Sequence, residues 1–112
     1  VRSVLESMGV ATASTPDGLG YDVAACSDDR WLRVQVKATA KRSRDGRYMF
    51  TTRRRSRGGL TIADCDVVAF VALDLRLVTF RPVGRIRGKT FKLTPSKFLL
   101  ENERSSWEQA IK

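Results

Sequence analysis

The sequence predicts a mixed α/β (α+β) domain whose central sheet of about five strands is flanked by helices. Three observations carry this expectation. Val1, Val4, Leu5 and Met8 recur at helical spacing. Arg30 to Ala38 alternates cleanly, with Leu32, Val34, Val36 and Ala38 on one face and Trp31, Arg33, Gln35 and Lys37 on the other. Val67–Leu73 is an unbroken apolar run, the mark of a strand buried on both sides. At 112 residues and 42% apolar content, residues 1–112 are expected to form one domain, large enough to bury a core but too small for two domains.

Taken in order, the first helix ends at Gly9, and the chain opens inside that helix, so its start is expected upstream of residue 1. Residues 10–20, with Pro16, Gly18 and Gly20, read as a loop. Two strands, Tyr21–Ser27 and Arg30–Thr39, follow around an Asp28-Asp29 turn. Arg47–Thr52 reads as a third strand and Arg53–Gly59 as a basic, mobile loop. Val67–Leu73 turns at Asp74-Leu75 into Leu77–Arg81, which Pro82 ends. After a short extended piece at Lys89–Leu93, Thr94 and Pro95 suit the start of a helix running to Leu100. Ser106 and Gln109 suggest a capping box for a last short helix with Trp107 and Ile111. Phe70, Phe80, Phe91, Phe98 and Trp107 are expected in the core, as are Tyr48 and Phe50, although these two lie beside the basic segments.

Composition excludes whole classes of chemistry. The chain has no histidine, so Ser-His-Asp and Cys-His machines and a histidine general base are ruled out. Cys26 and Cys65 are too few for a zinc site of the usual ligand count and are expected as reduced thiols in a cytoplasmic protein. Any metal would be held by oxygen, which points to Mg²⁺ or Mn²⁺. The longest apolar run is far short of the roughly 20 residues of a membrane span, no signal-peptide pattern is visible, and no membrane partner is expected.

The net charge of +9 is concentrated. Lys41, Arg42, Arg44, Arg47, Arg53, Arg54, Arg55 and Arg57 face only Asp45 within 41–57, and Arg76 to Lys97 holds seven basic residues with no acid. Arginine outnumbers lysine, as phosphate recognition favours. A basic strip without an amphipathic apolar helix suits nucleic acid better than an anionic membrane.

The hairpin brings chemistry together. If Ser27 pairs with Arg30 across the turn, Asp22 falls opposite Gln35. Their Cβ atoms would then be roughly 5 Å apart on one face, with Lys37 diagonal at roughly 7 Å. A carboxylate, an amide oxygen and an ammonium around one volume can hold a hard cation and a phosphate oxygen. The alternative is a solvated cross-strand pair.

Gly20-Tyr21-Asp22 followed by Arg33-Val34-Gln35-Val36-Lys37 resembles the PD-(D/E)XK nuclease superfamily. The likeness is to the branch of small Holliday-junction-resolvase-like folds and group I intron homing endonucleases in which Gln replaces the second acid. It covers roughly residues 1 to 82 and implies a restriction-endonuclease-like sheet. It also implies a site in which Asp22, Gln35 and Lys37 are catalytic, and Asp22, the Gln35 side-chain oxygen and the Val36 carbonyl hold Mg²⁺, with Mn²⁺ as a substitute. Lys37 would orient or activate the attacking water and stabilise charge on the phosphate. DNA is the implied partner, met by Arg33, Lys41, Arg42, Arg44, Arg53, Arg54, Arg55 and Arg57, and a homo-oligomer is expected. Pro16-Asp17 also precedes Gln35 at a compatible distance, but Pro-Asp-Gly is a common turn and strand register favours Asp22. Many members add an acid from the first helix, for which Glu6 is the local substitute. Two functions follow: a metal-dependent DNA endonuclease that hydrolyses phosphodiester bonds, or a noncatalytic nucleic-acid-binding domain that retains the fold.

Overall fold

A computed structural model describes residues 1–14, 21–52 and 59–112. A short helix α1 (Arg2–Ser7) buries Leu5 and ends where Gly9 takes φ +82°, a conformation that disfavours a side chain. The Val10 N–H returns to the Leu5 carbonyl and the Gly9 N–H to that of Glu6, which closes the helix end and aims the chain into β1 (Ala11–Ser14). This strand lies where a loop was expected. Its Ala-Thr-Ala-Ser sequence alternates only small residues, a weak strand signal, and pairing with β2 (Val23–Ser27) supplies what propensity does not.

β2 and β3 (Arg30–Thr39) form the expected hairpin. Ser27 pairs with Arg30, and Asp28 and Asp29 take φ 53° and 61°, as a two-residue type I′ turn requires. β5 (Val67–Ala72) then lies parallel to β3, and β6 (Leu77–Pro82) returns antiparallel to give the order β1-β2-β3-β5-β6. Pro82 is the last residue of β6 rather than lying beyond it. The expected third strand, β4 (Tyr48–Thr51), leaves this sheet and pairs with β7 (Thr90–Leu93) in a separate two-stranded ribbon.

Two cores flank the sheet, and β5 feeds both. Val67 and Ala69 face α1 and the C-terminal helix with Leu5, Val34, Phe80 and Trp107. Val68 and Phe70 face the ribbon with Tyr48, Phe50 and Phe98. The Phe50 and Phe70 rings meet edge-on at 4.8 Å, and Phe80 meets Trp107 at 5.2 Å. Tyr48 and Phe50 are thus core side chains, unavailable for stacking on bases.

The C-terminal region differs from expectation. Pro95–Lys97 makes a single 3-10 turn, and one helix, α2 (Leu100–Ala110), replaces the two expected pieces. Ser106 lies inside α2 and starts no helix. Its hydroxyl accepts the Phe80 N–H at 3.1 Å, and Glu103 accepts the Val78 N–H at 3.0 Å. α2 therefore covers the outer edge of β6 and removes a row of unpaired donors. Among the described residues no helix is long and apolar enough to cross a membrane.

Candidate active site on the β2–β3 hairpin

The β2–β3 register ends with Val23 opposite Val34. Just beyond it the Asp22 N–H donates to the Val34 carbonyl at 2.9 Å, one residue off that register, so Asp22 meets Gln35 through its side chain and not as a regular cross-strand pair. The side chains of Gln35 and Lys37 share the face of β3 opposite to Val34 and its core. Asp22 Oδ2 accepts two hydrogen bonds, from Gln35 Nε2 at 3.0 Å and from the Val36 N–H at 2.8 Å. β2 has ended at that level, so the carboxylate stands where a neighbouring strand would offer a carbonyl. In a strand the N–H and C=O of one residue point to the same edge, so the Val36 carbonyl also lies on the Asp22 side of β3.

Lys37 lines an open cleft of about 340 Å³ with Thr39 and Lys41 on one wall and Met49 and Thr51 of β4 on the other. Among the described residues no group of three or more His, Cys, Asp or Glu side chains could hold a metal. The donors present still fit a hard cation: they are all oxygen, and Mg²⁺ is often bound through one or two carboxylates while keeping several waters. Gln35 directs an N–H at Asp22, so this donor and a cation compete for the same oxygen.

Glu6, the candidate helix acid, is engaged elsewhere. It accepts the Thr12 hydroxyl at 2.7 Å and pairs with Arg2 at 3.7 Å, fastening α1 to β1. Cys65 is buried, and that burial pushes its thiol up to about 12, which leaves it inert; Cys26 and Cys65 are both free thiols. Asp17 lies outside the described residues.

The expected DNA-contacting residues divide into three groups. Arg33, expected on that surface, directs its guanidinium at protein acceptors: both Asp66 oxygens, at 3.2 and 3.1 Å, and the carbonyls of Ile62 and Ala63. The Arg33 N–H also reaches Asp66 at 2.8 Å, and the Asp66 N–H returns to the Arg33 carbonyl. Burial pushes the Asp66 carboxyl up, but the Arg33 guanidinium and backbone N–H outweigh it and hold the pKa below the ordinary carboxylate value. Arg42 is also held: its guanidinium sits 4.6 Å above the Tyr48 ring, donates to the Tyr48 hydroxyl at 2.7 Å and pairs with Asp74 at 3.5 Å. Lys41 and Arg44 are exposed. Arg53, Arg54, Arg55 and Arg57 lie outside the described residues, but the stems on either side are tied, with the Leu60 N–H donating to the Thr52 carbonyl at 3.1 Å.

Sequence reasoning missed Asp66 and Asp74 as the partners of these arginines. Asp66 immediately precedes the apolar run of β5, and an acid at a strand entrance is the signal that was available.

No protein-family model and no curated protein matches the chain. Among solved structures, the chain is similar to a bacterial homing endonuclease, I-Ssp6803I, with 28% sequence identity and a TM-score of 0.65. The match covers 82% of this chain and 64% of that one, so the chain spans less than two thirds of the length of its structural neighbour, with which it shares a mixed α+β architecture.

Proposed function

We propose that the chain is a metal-dependent DNA endonuclease of the PD-(D/E)XK type, with Asp22, Gln35 and Lys37 as its catalytic residues. The observation that carries this reading is the Asp22 carboxylate at the end of the β2–β3 ladder, hydrogen bonded to Gln35 and to the Val36 N–H, with Lys37 of the open cleft next along β3. Likeness to a homing endonuclease and the concentrated basic charge support DNA as the substrate.

Asp22, the Gln35 side-chain oxygen and the Val36 carbonyl would hold Mg²⁺ or Mn²⁺. When bound, the ion would acidify a water and neutralise charge on the phosphate. Asp22 supplies the negative charge that retains it. Gln35 contributes an oxygen only by turning its amide over and giving up its bond to Asp22. Lys37 sets its ammonium towards the phosphate, where negative charge grows as water adds to phosphorus and the ester bond breaks. Arginines outside the hairpin fix the backbone in register without reading sequence.

A specific observation favours a second reading, a DNA-binding domain without catalysis. Asp22 is already hydrogen bonded within the protein, and among the described residues no group of three or more His, Cys, Asp or Glu side chains is placed to hold a metal. Incubation with duplex and branched DNA in Mg²⁺ or Mn²⁺ distinguishes the two. The nuclease reading expects strand cleavage that chelation stops and that Asp22→Ala and Lys37→Ala remove. Binding without cleavage of any DNA form, alike in these variants, overturns it in favour of the binding domain.

A further inference from the structure

The two faces of the β4–β7 ribbon differ in chemistry, and only one is used to hold the fold together. Directly paired residues share a face. Tyr48 with Leu93 and Phe50 with Phe91 pack against the main sheet. Met49 with Lys92 and Thr51 with Thr90 turn away from it, and all but the half-buried Met49 are exposed. Neither strand carries a carboxylate. Met49 and Thr51 also form one wall of the cleft whose other wall holds Lys37 and Lys41, so this face continues into the candidate site.

We propose that the outward face of the ribbon reads base edges in the major groove of duplex DNA beside the phosphate at Lys37. This rests on the endonuclease reading above. Two strands about 4.8 Å apart, with their side chains, fit a groove roughly 12 Å wide. Four residues per strand span about 13 Å, close to four base-pair steps at roughly 3.4 Å each. The side chains suit base contacts, since Thr51 and Thr90 can donate or accept, Met49 can meet a thymine methyl, and Lys92 can donate to guanine O6 or N7. Lys89, just before β7, and Arg87, whose Nη1 donates to the Gly84 and Ile86 carbonyls while the residue stays exposed, can grip phosphate at the flank without reading sequence. A face needed only for solubility next to so much positive charge would carry acids to balance it; this one is uncharged apart from a lysine.

The test is selection from a randomised duplex DNA library by the intact chain, by Thr51→Ala and Lys92→Met made separately, and by Arg87→Ala. The unaltered chain is expected to enrich a preferred sequence. Each ribbon variant should lose discrimination about tenfold at one or two adjacent positions, with an unchanged circular dichroism spectrum, while Arg87→Ala should weaken all sequences alike. Because the two ribbon variants are independent, misfolding of one leaves the other to decide. Identical preferences in the unaltered chain and the folded ribbon variants overturn the proposal and leave the nuclease reading standing if DNA is still cleaved. Failure of the unaltered chain to enrich any sequence overturns it too, and cleavage of unselected DNA then shows whether the nuclease reading survives.

Discussion

The Asp22 carboxylate accepts the backbone N–H of Val36 at 2.8 Å, completing a strand ladder that β2 itself no longer reaches. A single side chain thus terminates the hairpin and supplies the charge of the candidate site. The two roles are separable. Asp22→Asn keeps an acceptor for the Val36 N–H but removes the charge, whereas Asp22→Ala removes both. We expect Asp22→Ala to cost about 1 kcal/mol of stability and Asp22→Asn much less, while both abolish specific Mn²⁺ binding. Denaturant melts and Mn²⁺ titrations check this. Equal stability loss in the two variants would show that the hydrogen bond contributes nothing.

Gln35→Glu exchanges the competing N–H for a second carboxylate. Without metal, two like charges face each other and one carboxyl must take up a proton or repel its neighbour. The melting temperature in chelator should therefore fall. Mn²⁺ should restore it, with at least about tenfold tighter binding than in the unaltered chain, equivalent to about 1.4 kcal/mol. Calorimetric titration showing unchanged affinity would argue that Gln35 does not face the ion.

Arg33 and Asp66 make the opposite kind of site, one built for stability. Asp66 has a folded pKa below its unfolded value, about 4. The pair therefore contributes its full stability above pH 4 and loses it as the pH falls through the folded value. Asp66→Ala should cost about 2 kcal/mol at pH 7, because charged hydrogen bonds and two loop carbonyls lose their organiser, or about 8 °C in Tm for a domain of this size. The difference from the unaltered chain should shrink below pH 4. A pH-independent difference would assign the loss to packing alone.

The hairpin was legible because its information is local. A two-residue turn fixes the register from Ser27 to Val23, and period-two alternation puts Gln35 and Lys37 on one face of β3, so counting brought Asp22 near Gln35 although the regular ladder stops one residue short of it. The buried run of β5 was legible for a similar reason, since a central strand shows apolar residues to both cores. The departure of β4 was not legible: Tyr48 and Phe50 suit a strand in either sheet, and only packing against Phe70 and Phe98 decides. β1 was hidden by small residues. The continuity of α2 was hidden because Ser106, a good cap by composition, serves the edge of β6 instead. The arginines illustrate the same limit. Charge shows that a surface is basic, but the acids that capture Arg33 and Arg42 lie 33 and 32 residues further along the chain.

That division gives a prediction about salt. Arg33→Ala should lower Tm and leave the salt dependence of DNA binding nearly unchanged, because its guanidinium is engaged with Asp66. Replacing Arg53, Arg54, Arg55 and Arg57 by Ala should do the reverse, weakening binding to all sequences and flattening the log–log salt slope by about one unit per lost phosphate contact. Filter binding across a salt series checks both. An unchanged slope in the fourfold variant would reduce that segment to a solvated surface.

Lys37 offers the sharpest separation of binding from chemistry. Its position on the cleft wall, two residues beyond Gln35 on the same face, gives its ammonium access to a phosphate without making it a metal ligand. Lys37→Ala should therefore leave Mn²⁺ affinity and folding unchanged and alter DNA affinity by no more than one phosphate contact. Turnover should fall by at least about 10²-fold, the scale of losing one charge that stabilises a transition state. Because the proposed interaction strengthens as charge develops, kcat should fall while KM stays close to its original value. Single-turnover cleavage with saturating protein isolates that step from product release. A rise in KM at constant kcat would instead make Lys37 an ordinary DNA-binding residue and move the search for the group that activates water elsewhere in the cleft.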